Sequence, residues 1–249
     1  MIEFSQVTRT YGTKLAVDGI DLEIPSGQVF ALLGPNGAGK TTTIKMLVGL
    51  LRPGSGTVRI CGHDVAADTQ QANRLVGYVP DEVFLYDKLT GREFLQFVAD
   101  VHGLPAEKSR AAIERQIEQF ELQEFVDRLA DTYSHGMKQR LAFSGALLHQ
   151  PAVLVLDEPM VGLDPRSMRL VKDLLRAEAR AGMAIFMSTH TLTIAEEIAD
   201  RIGIMDRGKL RCVGSLAELQ RDLALDKTTL EQLFLEVTTR PANVAETAK

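Results

Sequence analysis

One eight-residue segment restricts the fold of this chain more than any other part of its sequence. The segment, Gly34-Pro35-Asn36-Gly37-Ala38-Gly39-Lys40-Thr41, matches the pattern G-x-x-x-x-G-K-[ST]. It follows Val29–Leu33, which is apolar throughout, as is typical of a strand covered on both faces in a parallel sheet. A helix is expected after it, from about Lys40 to Leu50. This order of strand, glycine-rich loop and helix predicts an α/β fold.

Such a unit is suited to holding phosphate groups. Glycines let backbone N–H groups turn inward, and the helix N-terminus adds partial positive charge. We expect Lys40 to reach the β- and γ-phosphates and the Thr41 hydroxyl to ligate Mg²⁺. A chance glycine-rich turn is the alternative, but the flanking strand and helix favour nucleotide binding. The predicted ligand is ATP, held by Gly34, Pro35, Asn36, Gly37, Ala38, Gly39, Lys40, Thr41 and Thr42.

Two carboxylates follow a second apolar strand, Val153–Leu156. Asp157 and Glu158 would repel each other at the end of a buried strand without a cation or a base role to offset their charge. We expect Asp157 to hold the magnesium shell and Glu158 to polarise the attacking water. A solvated strand end would explain either acid alone, but not both acids beside the glycine-rich loop.

A third strand, Ala184–Met187, ends in Ser188-Thr189-His190. Ligands of open α/β sheets gather at the carboxyl ends of the strands. A histidine at that edge can donate to a γ-phosphate and help to position water. By itself His190 would more often be a structural histidine, but its place after the other two motifs favours a catalytic role.

Length and composition limit the remaining possibilities. A chain of 249 residues suffices for one large α/β domain, or for a nucleotide-binding core with a smaller inserted subdomain. The net charge of −5 argues against a nucleic-acid backbone as the main partner. Apolar runs fall short of the roughly 20 residues that span a bilayer, and the N-terminus does not look like a signal peptide. We therefore expect a soluble, cytoplasmic protein.

The middle of the chain is expected to be helical. Thr90-Gly91-Arg92-Glu93 has the spacing of a capping box, and Phe94, Phe97, Val98 and Val101 then lie on one face of an amphipathic helix. Further along, Asp164-Pro165 predicts a helix N-terminus and Gly182 its end.

With these motifs in order, the chain resembles the nucleotide-binding subunit of an ATP-binding cassette (ABC) transporter. Tyr133-Ser134-His135-Gly136-Met137-Lys138-Gln139-Arg140 resembles the family's signature motif, usually L-S-G-G-Q. Val161-Gly162-Leu163-Asp164 matches the D-loop, and Gly77-Tyr78-Val79-Pro80 matches the approach to the Q-loop. Tyr11 stands where the family stacks an aromatic ring on adenine.

The resemblance implies a P-loop NTPase core with a mostly parallel sheet, an N-terminal antiparallel β subdomain and an inserted α-helical subdomain at about 88–138. The ATPase domain would span residues 1–237, followed by a polar tail at 238–249. Two such domains pack head to tail in the family, as a homodimer or as a heterodimer with another ABC ATPase subunit. Ser134, Gly136 and Met137 would then meet the γ-phosphate of the opposite subunit. Ser134 as a helix N-cap is compatible with that role.

Two departures from the family pattern matter. His135 puts a ring where the signature usually has glycine, and Asp81 occupies the glutamine position of the Q-loop. Asp81 would either ligate Mg²⁺ more strongly or repel the γ-phosphate. The metal ligands expected from the sequence are therefore Thr41, Asp157 and Asp81.

Thr229–Glu236 resembles the ending of efflux-type subunits that pair with separate membrane permeases. We therefore expect an ATPase that powers transport, in the export direction, from the inner face of the cell membrane. The inserted helical region and the Asp81 loop would form the docking groove for the permease. Open alternatives are an importer subunit, a soluble ABC ATPase of translation or DNA repair, and a nucleotide-binding scaffold with little hydrolysis.

Overall fold

The computed structural model describes residues 1–222 and 228–239. In chain order the elements are β1 (Ile2–Tyr11), β2 (Lys14–Ile24), β3 (Val29–Leu33), α1 (Lys40–Leu47), β4 (Ser55–Ile60), β5 (His63–Asp64), α2 (Thr69–Arg74), β6 (Val76–Val79), α3 (Gly91–Val101), α4 (Ala106–Gln119), α5 (His135–Leu147), β7 (Val153–Asp157), α6 (Pro165–Arg180), β8 (Ala184–Ser188), α7 (Leu192–Ile198), β9 (Arg201–Asp206), β10 (Lys209–Gly214), α8 (Leu216–Asp222) and α9 (Leu230–Thr239).

The larger sheet has six strands in the order β10-β9-β3-β8-β7-β6. All neighbours pair in parallel except β10, which runs antiparallel to β9. Every residue of β3, β7 and β8 is buried, as expected for central strands covered on both faces. The register places Asp157 beside Ser188, so the carboxyl ends of β7 and β8 meet at one edge.

The smaller sheet is antiparallel, in the order β2-β1-β4-β5. Along β2 the apolar residues Ile20, Leu22 and Ile24 are buried and the acids between them are exposed, because one face of this sheet packs against the rest of the domain. Phe186 of β8 joins the two sheets. Its ring centroid lies 6.2 Å from that of Phe4 and 5.5 Å from that of Phe30.

The first inserted helix has the capping box that the sequence predicts. Thr90 Oγ1 accepts from the Glu93 amide at 3.2 Å, and Glu93 Oε2 accepts from the Thr90 amide at 2.8 Å. On the face of Phe94, Phe97, Val98 and Val101, however, only Phe94 and Val98 are partly buried against the core, whereas Phe97 is 43% exposed and Val101 67% exposed. Instead α3 buries Gly91, Leu95 and Ala99. The small residues allow close packing, since a Cβ on Gly91 would lie 2.6 Å from the Tyr133 hydroxyl.

The ends of helices α1, α6 and α9 lie close to the positions expected from the sequence. Helix α1 ends at Leu47 rather than Leu50, because Gly49 takes up a φ of +74° and turns the chain away. Helix α6 begins after Asp164, which accepts from the amides of Arg166 and Ser167, and Gly182 follows its end at a φ of +108°. Helix α9 includes Thr238 and Thr239, two residues of the expected tail, while residues 240–249 lie outside the described residues.

Within residues 1–222 and 228–239, none of the helices combines the length and the apolar character needed to cross a membrane.

Candidate nucleotide-binding site

The glycine-rich loop connects the end of β3 to the start of α1, as the sequence predicts. The Lys40 ammonium turns back into this loop and donates to the carbonyl oxygens of Gly34 at 2.7 Å and Pro35 at 3.4 Å. Lys40 is 8% exposed. Burial lowers the pKa of Lys40, and the negative charges of Glu158 and Asp157 partly oppose that shift. A buried cation held beside the loop backbone is what a bound polyphosphate requires.

Two glycines of the loop are required by close packing. A Cβ on Gly34 would lie 2.4 Å from the Met205 carbonyl oxygen, and one on Gly39 would lie 2.4 Å from that of Ala16. Gly39 also has a φ of +115°, which side chains rarely adopt. The loop backbone therefore packs directly against β9 and β2, which restricts its conformation. Thr43, one turn into α1, adds a hydrogen bond from its hydroxyl to the Gly39 carbonyl at 3.0 Å.

Asp157 ends β7 and is 4% exposed. The Ser188 hydroxyl, which lies opposite in the sheet register, donates to its carboxylate. Burial raises the pKa of Asp157; the Ser188 hydrogen bond and Lys40 oppose the shift, while Asp81 and Glu158 add to it. A desolvated carboxylate among other acids is a suitable partner for a cation.

Glu158 has a left-handed backbone, with a φ of +49°, just after the strand. Its carboxylate faces the end of β8, where Oε2 lies 2.9 Å from His190 Nδ1 and accepts from the His190 amide at 3.2 Å. The Glu158 side chain is 13% exposed and that of His190 is 61% exposed. Asp157 and Glu158 therefore have different partners. Asp157 is buried against Ser188, and Glu158 is paired with His190, the histidine expected from the sequence.

A cleft of about 270 Å³ runs along these groups. Its lining includes Tyr11, Asn36–Thr42, Asp81, Asp157 and Glu158. Tyr11 is 47% exposed at the end of β1, and the Arg9 guanidinium carbon lies 5.3 Å from its ring centroid. The structure thus brings Tyr11, the loop from Asn36 to Thr42 and the three predicted acids to one cleft. Gly34 and Pro35 are not part of its lining, although their carbonyl oxygens accept from Lys40.

Asp81 lines the same cleft, and its negative charge acts on two neighbours, the half-buried Tyr78 and the buried Asp157. Burial raises the pKa of Tyr78 to about 12, with Asp157 and Asp81 contributing. Asp81 also contributes to the raised pKa of Asp157. Asp81 is therefore close enough to influence the electrostatics at the Asp157 end of the cleft.

The donor set fits Mg²⁺ shared with a nucleotide. Thr41 is exposed and carries a hydroxyl group, and Asp157 carries a carboxylate. A cation bound beside Asp157 would lower the raised pKa of that carboxylate. The residues that the structure describes contain no group of three or more His, Cys, Asp or Glu that could hold a metal ion. Mg²⁺ is commonly held by one or two protein ligands together with substrate phosphates, and Thr41 and Asp157 would supply two such ligands.

Ser134, Gly136 and Met137 lie elsewhere, at the N-terminus of α5. Ser134 Oγ caps that helix by accepting from the Met137 amide at 3.3 Å. Gly136 faces Gly162 and Leu163. Among the described residues that line the cleft, none comes from this helix. The structure therefore does not bring the signature residues to the glycine-rich loop of the same chain.

Sequence reasoning missed two groups at the site. Ser188 ends β8 and donates a hydrogen bond to Asp157 at the end of β7, a contact that depends on the parallel pairing of these two strands. Lys14 lines the cleft beside Tyr11, its partner across the β1–β2 hairpin. Nothing in the sequence near Lys14 indicates that position.

Comparison with known proteins agrees with the motifs. A family model described as ABC transporter matches residues 17–161. The daunorubicin/doxorubicin resistance ATP-binding protein of Streptomyces peucetius is 40% identical over 222 residues, which are 89% of this chain and 67% of that protein. The Nod factor export ATP-binding protein I of Burkholderia orbicola is 39% identical over 84% of this chain and 68% of its own length.

Solved structures give the same fold. An ATP-binding subunit of an ABC transporter superposes with a TM-score of 0.90 at 29% identity, covering 95% of this chain and 99% of that one. A dimeric ATP-binding cassette in a post-hydrolysis state with ADP and Pi has a TM-score of 0.80 and covers 87% of this chain and 99% of that one. At 24% identity, the second match concerns the fold alone.

Proposed function

This chain belongs to the ABC transporter family, and from that premise we propose that it is the ATPase subunit that powers export through a separate membrane permease. The observation that carries the proposal is the meeting of Lys40, Asp157 and Glu158 at one cleft, where Glu158 is in turn paired with His190. The relatives named above act in drug resistance and Nod factor export, which favours the outward direction. The cargo would contact the permease rather than this subunit.

In the proposed reaction Glu158 polarises the attacking water, and His190 is held beside it by the contact at Nδ1. Lys40 and the loop amides, with Thr42 beside them, hold the phosphates, while Tyr11 stacks on the adenine. When bound, Mg²⁺ would neutralise developing phosphate charge, held by Thr41 and Asp157, with Asp81 on the same side of the cleft. Asp81 either strengthens that site or repels the γ-phosphate.

We further propose that two cassettes share each ATP. The separation of α5 from the cleft supports this, because Ser134, Gly136 and Met137 would then act on the nucleotide of the opposite subunit. The N-terminus of α5 would supply positive partial charge to the γ-phosphate. The partner would be a second copy or another ABC ATPase subunit, and the active domain would span 1–237 with its helical subdomain at about 88–138.

The permease is proposed to dock on the exposed apolar face of α3. A groove of about 360 Å³ runs beside this face, lined in part by Phe84, Phe94 and Val98. Phe84 is 83% exposed, and Tyr86 packs edge-on against Phe97 with ring centroids 5.4 Å apart. Exposed aromatic residues in such number mark a contact surface. The groove begins next to Asp81, so docking and the nucleotide cleft share one loop.

The proposal is tested by tagging the full chain and capturing it from detergent-solubilised membranes of its source cells. We expect an integral membrane permease to co-purify, and Phe97→Gln to weaken that capture while leaving ATP binding intact. Co-purification with ribosomes or DNA would favour the soluble alternatives. Lys40→Ala should abolish nucleotide binding, and unchanged ATP affinity in that variant would contradict the assignment of the loop.

A further inference from the structure

His135, which stands where the signature motif usually has glycine, lies against the D-loop of its own chain. Its Nε2 is 3.0 Å from the carbonyl oxygen of Val161. Because a carbonyl only accepts hydrogen bonds, Nε2 must carry the proton and donate. The ring also covers Gly162: a Cβ there would lie 2.4 Å from Cδ2 of His135. The contact therefore combines a hydrogen bond with close packing on the loop backbone.

A second side chain of the same helix holds the same segment. Gln139 lies one turn after His135 on the same face of α5, and its Nε2 donates to the Pro159 carbonyl oxygen at 3.1 Å. Gln139 is 1% exposed, so this contact is shielded from water. Helix α5 thus holds two backbone carbonyls, at positions 159 and 161, in the segment that follows Glu158.

That segment is hydrogen-bonded to the backbone of Glu158. The Val161 amide donates to the Glu158 carbonyl at 3.3 Å, closing the turn. Glu158 itself has a φ of +49°, a strained conformation that its surroundings must maintain. Its side chain in turn contacts His190. A continuous chain of contacts therefore leads from the N-terminus of α5 to the proposed base.

We propose that His135 is a positioning residue that fixes the D-loop, and through it Glu158, relative to the signature helix of the same chain. The assignment of Glu158 as the base rests on the proposed function; the contact with the D-loop does not. Glycine, the usual residue at this position of the motif, has no side chain with which to make the contact. In a shared-site dimer the link would couple the signature that acts on one ATP to the base that acts on the other.

The first test needs no nucleotide. Hydrogen exchange is measured by mass spectrometry over residues 160–164 in the wild type, His135→Phe and His135→Gln. Loss of the hydrogen bond in His135→Phe should speed exchange about tenfold, and His135→Gln, whose amide nitrogen can replace Nε2, should restore much of the protection. His63→Phe, which loses a histidine contact with Asp68, is the matched control and should leave this segment unchanged. Equal exchange in all variants would overturn the proposal.

The second test separates positioning from nucleotide binding. His135→Phe should lower kcat for ATP several-fold with KM little changed, and His135→Gln should recover kcat. An effect confined to KM would mean that the ring acts on nucleotide across the interface, which would contradict a positioning role. If the wild type hydrolysed no ATP, the proposed function would fail, but the exchange experiment would still decide whether His135 holds the D-loop.

Discussion

At the residue scale, Glu158 is the group on which hydrolysis should depend most. Glu158→Gln keeps the shape of the side chain and its contact with the His190 amide but removes the base. We expect kcat to fall by about 100-fold or more while ATP affinity is retained, since a general base contributes to the chemical step. Steady-state phosphate release and ATP titration measure both quantities. The exposed Glu23→Gln is a matched charge control, and normal turnover in Glu158→Gln would rule out the base assignment.

The buried charge of Asp157 should lower the stability of the nucleotide-free protein. Because its pKa is raised in the folded state, the unfolded chain releases this proton more readily, and stability is lost as pH rises from the unfolded value, about 3.9. Asp157→Asn should therefore raise the Tm of the nucleotide-free protein at pH 7. The difference should disappear below about pH 4, where the unfolded carboxyl also keeps its proton.

The exposed Asp131→Asn serves as the control for Asp157→Asn in the same thermal melts. A lower Tm for Asp157→Asn at pH 7 would mean that the charged hydrogen bond with Ser188 outweighs desolvation. Stabilisation of a variant that has lost its function is expected when a site is strained or charged for activity.

At the element scale, the two faces of α3 should have different roles. The inner face should stabilise the fold, and the outer face should bind the permease. Leu95 is fully buried on the inner face and Phe97 is 43% exposed on the outer one. Leu95→Ala should lower the free energy of unfolding by about 2–5 kcal/mol, while Phe97→Gln should change it by less than about 0.5 kcal/mol. Urea unfolding curves followed by circular dichroism measure both. A large loss of unfolding free energy in Phe97→Gln would mean that the outer face of this helix also packs on the core.

The same helix shows what apolar periodicity in a sequence cannot predict. Periodicity found the apolar stripe of Phe94 and Phe97, but it cannot tell a face that packs on the core from one kept for a partner. The glycine-rich loop and β3 were predictable because φ requirements, phosphate chemistry and full burial all restrict the same residues. The Ser188–Asp157 contact depends on the pairing of two strands that are distant in sequence, and the position of Lys14 depends on a hairpin register, so neither follows from local pattern.

At the scale of the whole molecule, the residues of the proposed shared site lie in two places. The loop, Asp157, Glu158 and His190 meet at the carboxyl edge of the large sheet, whereas Ser134 and Gly136 lie at the N-terminus of α5. The family resemblance predicts that ATP is shared between two subunits, and the separation of these residues within one chain supports that proposal. If each group of residues needs its complement on a second subunit, ATPase activity per mole of protein should rise with protein concentration.

A mixing experiment tests this central claim most directly. Lys40→Ala disables the loop and Ser134→Arg disables the signature, so each variant alone should be inactive. If two copies pack head to tail, the mixed dimer contains one intact site, and mixing equal amounts should restore up to roughly a quarter of wild-type ATPase activity. Activity no higher than the sum of the separate variants, under conditions in which wild-type protein dimerises with ATP, would contradict the shared site.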